Sequence, residues 1–464
     1  MSHTDNIDFL CGNVSADENG HLLFAGQDTA ALAREYGTPL YLMDEERIRE
    51  RCRTYIKGLK DAFGDKGQAL FASKAASFKR IYEIMKEEKM GIDLVSSGEI
   101  YTAARAGFGM EKSFFHGNNK TEHELETAIK NGVGCIIIDS FHEVDVIDQL
   151  AEKYGRKQNV GLRIKPGVDA HTHKYIMTGN EDSKFGFGIE DETADYMLQL
   201  ICEKENLVLS TLHCHIGSQI FELESFAVTV DIMTDYLKKI TEKYGISVRE
   251  INFGGGFGIH YTNEDKPLEF SEYVALIAEK LSENCKKKEL GEIGFVVEPG
   301  RSIVGEAGTT LYTIGAIKNI PGIRTDVSVD GGMTDNPRTA LYQAEYLCTV
   351  ANKMNEEADT KVSIAGRCCE SGDMLIWDTM IQQPAYKDIL AVFSTGAYCY
   401  SMASNYNRIP RPPVAVTCKG EDKLVVKREI PMDNSKDLVN SLDIALAEYH
   451  CNNKNYEKGL SIYR

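Results

Sequence analysis

The chain has 464 residues, of which 42% are hydrophobic and 26% charged, proportions typical of a globular protein with a buried core. A chain of this length exceeds the size of a usual single core, which predicts two domains. The formal net charge of −18 argues against DNA or RNA as a partner, because a phosphate backbone attracts basic surfaces.

The N-terminal sequence and the cysteines indicate the cellular compartment of the protein. The first residues, MSHTDNIDFL, lack the basic and apolar segments of a secretory signal. No stretch approaches 18 continuous apolar residues, so no transmembrane helix and no membrane partner are predicted. The 12 cysteines are scattered without a CxxC pair, which argues against a disulfide framework and a zinc ribbon. We therefore predict a reduced, cytoplasmic protein.

The N-terminal part begins with short β-like segments within residues 1–28, such as residues 21–24. Residues 29–36 have the pattern of a helix, which the Gly and Pro of the next three residues should end. A longer helix is predicted to begin at Asp44, a residue that favours the N-cap position.

Apolar runs of strand length then alternate with amphipathic helices. The runs end near Phe71, Val95, Phe115, Ile138, Ile164, Leu212, Phe253 and Val297. Eight strands that alternate with helices over roughly 230 residues predict an α/β fold with a (β/α)8 barrel. An open doubly wound sheet is the alternative, but it often has a Gly-rich first turn, and none follows Phe71.

After about Gly305 the pattern changes to short β-like runs separated by Gly and Pro. This change predicts a separate β-rich domain that the N-terminal segment completes. The predicted division gives the barrel residues 37–307 and the β-rich domain residues 1–36 and 308–464.

Polar residues follow the predicted barrel strands at the end where such barrels place their active sites. Lys74 follows the first strand, glycines 254–256 follow the seventh, and Arg301 follows the eighth. Glycines let backbone N–H groups approach an anion, although a tight turn explains a glycine triplet equally well. Ser218 and Arg301 could bind the same anion. A phosphate site that faces an amine suggests pyridoxal 5'-phosphate bound as a Schiff base.

Eight motifs carry a resemblance to a known family. They are FASKAA at 71–76, DLVSSGE at 93–99, HGNNK at 116–120, LHCHIGSQ at 212–219, FGGGFG at 253–258, EPGR at 298–301, CESGD at 369–373 and GAY at 396–398. With these motifs the chain resembles the fold-type III pyridoxal-phosphate decarboxylases, and among them the diaminopimelate decarboxylase family. The resemblance covers nearly the whole chain. Ala76 and Lys165 depart from it, since the family often has Asn at both places.

The resemblance implies decarboxylation of meso-2,6-diaminopimelate to L-lysine and CO2, the last step of lysine biosynthesis. It implies a homodimer with shared active sites. Lys74 would carry the cofactor, Glu298 would pair with its ring nitrogen, and His215 would stack on its ring. Cys369 would donate a proton to the carbanion, and a thiol is apt because it keeps a proton at neutral pH.

The same resemblance implies the remaining binding residues. The cofactor contacts would come from Lys74, His215, Ser218, Gly254, Gly255, Gly256, Glu298, Gly300, Arg301 and Tyr398. The substrate contacts would come from Arg301, Arg338, Tyr342, Glu370 and Tyr398. Two arginines suit a distal carboxylate, which they can bind through bidentate forks. Lysine or ornithine would leave these guanidinium groups unpaired.

Other functions remain open from the sequence. His213 and His215 have the spacing of the metal pair in amidohydrolases, but that chemistry needs further ligands from later strands. Only His260 and His450 follow, and neither is placed after a predicted strand, so no metal is predicted. On the same fold, decarboxylases of ornithine, arginine or carboxynorspermidine are the nearest alternatives. A catalytically inactive regulator is the alternative from another class.

Overall fold

The computed structural model describes residues 12–168 and 184–430. The N-terminal segment contains β1 (Val14–Ala16), β2 (Leu22–Phe24), β3 (Gln27–Asp28), α1 (Thr29–Tyr36) and β4 (Leu40–Asp44). β1 to β3 form a small antiparallel sheet. The Asp28 carboxylate accepts a hydrogen bond of 2.8 Å from the backbone N–H of Ala30 and so caps α1. The helix predicted at residues 29–36 is confirmed.

Parallel strands form a closed barrel at the centre of the molecule. In chain order the strands of this sheet are β5 (Gly67–Ala72), β6 (Gly91–Leu94), β7 (Ser113–Phe115), β8 (Cys135–Ile138), β9 (Gln158–Lys165), β10 (Phe187–Gly188), β11 (Leu207–His213), β12 (Glu250–Asn252) and β13 (Gly294–Val297). The two-residue β10 pairs only with β9. The other eight close into a ring, because β13 pairs with β5. The predicted (β/α)8 barrel is confirmed, and each strand ends within one residue of its predicted end.

Helices surround the barrel and bury their apolar faces against it. They are α2 (Glu45–Phe63), α3 (Lys79–Glu87), α4 (Ser97–Arg105), α5 (Glu122–Asn131), α6 (Phe141–Lys153), α7 (Thr193–Cys202), α8 (Glu224–Tyr244), α9 (Phe270–Lys288) and α10 (Arg301–Val304). Asp44 caps α2, as predicted, by accepting a hydrogen bond from Arg47 N. None of the helices in the described part of the chain has the length and apolar character needed to cross a membrane.

The barrel interior contains a small apolar cluster below the strand ends. Leu70, Phe114, Cys135, Ile137 and Val296 form this cluster, which is separate from the larger core between the barrel and its helices. Strand residues alternate between these two environments because successive side chains point to opposite faces of a sheet. A buried polar pair adjoins the cluster, because Cys135 Sγ lies 3.9 Å from Thr211 Oγ1, which donates to Glu250 Oε1 over 2.9 Å.

A second sheet follows the barrel. Its elements are β14 (Gly308–Ile320), β15 (Arg324–Val329), α11 (Arg338–Tyr342), β16 (Cys348–Val350), β17 (Thr360–Ala365), β18 (Met374–Ile381), β19 (Ile389–Val392), β20 (Val414–Cys418) and β21 (Glu421–Val426). The strand order is β18-β17-β15-β14-β4-β20-β21, with β19 pairing with β14 and β16. The β-rich segment predicted after Gly305 is therefore present.

The N-terminal segment packs against this second sheet. Leu22 N donates a hydrogen bond of 2.6 Å to Ala351 O, and Phe24 shares a buried cluster with Leu311. β4 is a strand of the second sheet itself, because it pairs with β14 and β20. It nevertheless lies inside residues 37–307, the predicted barrel segment. The two-domain division stays a prediction, and residues 1–11, 169–183 and 431–464 lie outside the described residues.

Candidate active site

A cavity of about 1010 Å³ opens at the carboxyl ends of the barrel strands. The predicted site residues that line it are Lys74, His215, Ser218, Gly255, Gly256, Glu298, Gly300, Arg301, Arg338, Tyr342 and Tyr398. The last three belong to the segment after the barrel. The fold therefore brings these residues together, although they come from distant parts of the chain.

Lys74 lies directly after β5 in a short 3-10 turn and is exposed to the cavity. Its neighbours Ser73 and Ala75 are buried, and Tyr398 N donates a hydrogen bond of 2.8 Å to Ala75 O. The turn is thus fixed to the segment after the barrel while the lysine amine stays accessible. Such an amine is suited to attack a carbonyl group.

His215 and the glycine triplet pack closely together. A Cβ on Gly254 would come within 2.7 Å of His215 Nδ1, and a Cβ on Gly256 within 2.6 Å of Gly217 O. The N–H of Gly255 donates to His215 Nδ1 over 3.2 Å. Burial lowers the pKa of His215 well below its usual value, and the nearby Lys74 ammonium lowers this pKa further. The ring is therefore neutral.

From the sequence the glycine triplet could be an anion site or a tight turn, and two of its amides are used within the loop. Gly254 N donates to Asn252 Oδ1 over 2.9 Å, and Gly255 N donates to His215. Gly254 is buried and does not line the cavity. The close approach of the loop to His215, Glu298 O and Gly217 O explains why all three positions are glycine.

Glu298 lies after β13 at the centre of a buried polar cluster. Asn252 Nδ2 donates to its Oε1 over 2.7 Å, and His213 Nε2 lies 3.3 Å from its Oε2. His116 Nε2 lies 2.8 Å from Oε1 and 4.0 Å from Asp93 Oδ1. The rings of His116 and His213 pack edge to face with centroids 4.7 Å apart. All five side chains are buried.

The charges in this cluster follow from burial and contact. Burial alone would raise the pKa of Glu298, but the charge of His116 and the hydrogen bond with His213 bring it well below its usual value. Burial also opposes a charge on His116, yet the carboxylates of Glu298 and Asp93 raise its pKa overall. Burial raises the pKa of Asp93 to about 6 and lowers that of His213 to about 4. Glu298 is therefore an anion beside a cationic His116 and a neutral His213.

Two buried arginines form the opposite side of the cavity. Arg301 donates to Ser218 Oγ over 2.8 Å and to the Tyr261 hydroxyl. Arg338 donates to the Tyr346 hydroxyl over 2.6 Å. Within residues 12–168 and 184–430, neither guanidinium forms an ion pair with a carboxylate. A buried cation without an acidic partner is costly, which makes this side of the cavity suited to an anionic ligand.

Tyr398 lies between the arginines and the Lys74 turn. The guanidinium carbon of Arg301 is 4.9 Å from the centre of its ring, and that of Arg338 is 5.9 Å away. Its backbone φ of 63° is left-handed, an unusual conformation for a bulky residue. Strained backbone of this kind is common where a side chain must be held at a site.

Cys369 and Glu370 are separate from this cavity. Both are exposed, and neither lines the cavity in the described chain. Cys369 N donates to Asn407 Oδ1 over 2.8 Å, and Glu370 N donates to Cys368 O over 2.8 Å. A single chain thus does not assemble all of the predicted site residues.

His116, Asp93, Tyr261 and Tyr346 have no role predicted from the sequence. His116 and Asp93 had a usable signal, because each lies at the end of a predicted barrel strand within a motif. Tyr261 and Tyr346 follow no strand end, and only the fold brings them to the arginines. Their rings pack edge to face with centroids 5.3 Å apart.

The histidines differ from the pattern of a metal hydrolase. Among the described residues, one group of three potential ligands has donor atoms within 4.8 Å of one another, namely His116, His213 and Glu298. His215 is outside it, whereas the alternative considered from the sequence required His213 and His215 together. Asn252 and His213 already hydrogen-bond the Glu298 carboxylate, and His116 Nε2 lies in ion-pair contact with it. His450 lies outside the described residues.

The cavity fits a cofactor with a carbonyl, a ring nitrogen and a phosphate. Lys74 offers an accessible amine, and Glu298 offers a buried carboxylate that stays ionised. Gly256 and Gly300 line the wall without side chains, and a Cβ on Gly300 would come within 2.9 Å of Ala72 Cβ. This donor set matches pyridoxal phosphate, which needs a lysine, an acid near its pyridinium and a phosphate site.

Comparisons with known proteins point the same way. The family model described as "Pyridoxal-dependent decarboxylase, pyridoxal binding domain" matches residues 45–305. Diaminopimelate decarboxylase of Bacillus subtilis is 48% identical over 421 residues, which cover 91% of this chain and 96% of that protein. Its counterpart in Staphylococcus aureus is 43% identical over 417 residues, which cover 90% of this chain and 97% of that protein.

A solved structure extends the likeness to the whole fold. The crystal structure of diaminopimelate decarboxylase from M. jannaschii in complex with L-lysine has a TM-score of 0.87 to this chain at 31% identity. The alignment covers 94% of this chain and 99% of that one.

Proposed function

The chain belongs to the diaminopimelate decarboxylases, a family of pyridoxal-dependent decarboxylases, and we propose that it converts meso-2,6-diaminopimelate to L-lysine and CO2. This reaction is the last step of lysine biosynthesis. Relatives of the chain at 37–48% identity are named diaminopimelate decarboxylase. L-lysine, which is bound in the M. jannaschii complex, is the product expected of the proposed reaction.

The two buried arginines are the observation that carries the choice of substrate. Diaminopimelate has a second carboxylate at the end distant from the reacting carbon, whereas lysine, ornithine and arginine have none. Arg301 and Arg338 lie in the cavity wall without an acidic partner among the described residues. A distal carboxylate would supply negative charge beside them, and a substrate without one would leave the Arg338 cation buried and unpaired.

The chain's own residues have distinct parts in the reaction. Bound pyridoxal phosphate supplies an electron sink for the electron pair that remains when CO2 leaves. Lys74 would hold this cofactor covalently, and the Glu298 anion would stabilise positive charge on its ring nitrogen. The neutral His215 presents a flat ring to the cavity. Ser218, Gly256, Gly300, Arg301 and Tyr398 would bind the cofactor phosphate and the nearby substrate atoms.

Cys369 and Glu370 would enter the site from a second copy of the chain. Both are exposed and lie away from the cavity of their own chain, which supports a homodimer with shared sites. Cys369 would donate the proton that replaces CO2, and Glu370 would bind the distal ammonium of the substrate. All of the described cysteines are free, which supports a working place in the reducing cytoplasm.

CO2 release is the direct test of the proposed function. Purified enzyme supplied with pyridoxal phosphate should release CO2 from meso-diaminopimelate and should act poorly on lysine, ornithine and arginine. Faster release from ornithine or arginine would assign the chain to another decarboxylase of this fold.

Replacing Arg338 with alanine should lower kcat/KM for meso-diaminopimelate by at least about tenfold. Loss of a charge-assisted contact to a desolvated group typically costs about 2–5 kcal/mol, so the loss can be much larger. Cofactor affinity should stay unchanged, because the proposed contact is to the distal carboxylate. The measurement is steady-state kinetics together with a cofactor titration of the apoenzyme.

Arg324→Ala is the matched control for this prediction. Arg324 pairs with Asp326 over 2.7 Å in the second domain and does not line the cavity. The Arg324→Ala variant should have a kcat/KM close to the wild-type value. An equal loss of cofactor and substrate affinity in Arg338→Ala would mean that Arg338 supports the fold of the cavity and does not select the substrate.

A further inference from the structure

The cluster around Glu298 contains a residue with no part in the proposed reaction so far. His116 follows β7, and its Nε2 lies between two carboxylates, 2.8 Å from Glu298 Oε1 and 4.0 Å from Asp93 Oδ1. All three side chains are at least nine-tenths buried. Two buried carboxylates this close to one imidazole repel each other unless a positive charge stands between them.

We propose that His116 is a positioning residue that keeps Glu298 ionised and aimed at the cofactor by placing a positive charge between Glu298 and Asp93, in ion-pair contact with Glu298. The inference rests on the proposed function, since Glu298 has this task only if a cofactor with a ring nitrogen binds here. His116 itself acts only through Glu298.

The neighbouring groups cannot replace His116. His213 contacts the other carboxylate oxygen of Glu298, but burial lowers its pKa to about 4 and leaves it neutral. Lys74 and Arg163 add positive charge within electrostatic range of Asp93. Lys74 is the residue that would hold the cofactor, and the Arg163 guanidinium lies over the Phe185 ring, 4.3 Å from its centre. His116 is therefore the cation in contact with Glu298.

Hydrogen bonds and a buried ion pair hold the loop that carries His116 in place. His116 N donates a hydrogen bond of 2.8 Å to Leu94 O at the end of β6. Lys120 Nζ donates to Gly117 O over 2.7 Å and pairs with Glu143 over 2.8 Å, and both side chains of this pair are 1% exposed. Gly117 has a φ of 131°, which only glycine adopts readily. This buried ion pair fixes the turn, and with it the distance from the imidazole to Glu298.

The test compares two ligands of the apoenzyme. Pyridoxal phosphate has the ring nitrogen that Glu298 would meet, and 1-deazapyridoxal phosphate has a C–H there. His116→Gln keeps a donor of similar reach but removes the charge. It should weaken the binding of pyridoxal phosphate about tenfold, since an opposite charge within about 4–6 Å of a carboxylate favours its ionised form by about tenfold or more. Binding of the deaza analogue should change less than about twofold.

A double-mutant cycle adds a readout that a purely structural role would not move. In an Asp93→Asn background the second carboxylate is gone, so His116→Gln should cost clearly less affinity for pyridoxal phosphate than in the wild type. His123→Gln is the matched control, because His123 is exposed on α5. His123→Gln should leave the affinity for both ligands unchanged.

The outcomes separate the two hypotheses. An equal loss for both ligands, or no loss for either, overturns the role of His116. Failure of the wild-type apoenzyme to bind pyridoxal phosphate overturns the proposed function instead.

A further measurement needs only wild-type protein. ¹⁵N NMR of histidine-labelled apoenzyme should show one imidazole that stays doubly protonated at a pH where exposed histidines are neutral. The absence of such a ring would contradict the inference even if His116→Gln does not fold.

Discussion

Replacing Lys74 with alanine is expected to abolish decarboxylation and the visible absorbance of the bound cofactor together. Lys74 is the single lysine among the described residues that line the cavity. No other amine there can hold the cofactor covalently, so activity should fall by at least about 10³-fold. The measurements are CO2 release and the absorption spectrum of the purified protein.

Lys79→Ala is the matched control for Lys74→Ala. Lys79 is an exposed lysine of α3 that pairs with Glu83 over 3.2 Å, and its loss should leave both the spectrum and the activity unchanged. Borohydride reduction of the wild-type enzyme, followed by peptide mapping, should find the cofactor on Lys74. A label on another lysine would disprove the assignment.

The second large effect is expected from mixing two inactive variants. Lys74→Ala removes the proposed cofactor link at the barrel mouth, and Cys369→Ala removes the proposed proton donor between β17 and β18. If each site combines Lys74 of one copy with Cys369 of the other, a mixed dimer has one site with both defects and one intact site. Random exchange makes half of the dimers mixed, so activity should recover to about a quarter of the wild-type value.

This experiment requires proof that subunits exchange. Differently tagged wild-type copies, mixed under the same conditions, should form mixed dimers that can be purified through both tags. If they do, and the two variants still recover no activity, Cys369 acts within its own chain and the shared site is excluded. Sedimentation of the wild-type protein measures the dimer independently.

Much of the barrel could be predicted because its signals are local. The strand that ends at Phe115, the helix at Thr29–Tyr36 and the cap at Asp44 each depend on a few neighbouring residues. A buried parallel strand is apolar along its length, and a surface helix is apolar on one face. The local signal of β18 is weaker, because it lies at the edge of its sheet with Trp377 and Met380 exposed. A strand at an edge lacks a continuous buried pattern.

The order of the barrel strands, the motifs after them and, through these motifs, the family could be predicted from residue patterns along the chain. Which of those polar groups meet depends on the fold. It joined β4 to the second sheet, placed His116 against Glu298, and turned Tyr261 and Tyr346 toward the arginines. It also left Cys369 outside the cavity of its own chain. The physical reason is that periodicity and capping act between near neighbours in the chain, whereas the charge of a buried group depends on whichever distant residues the closed barrel brings beside it.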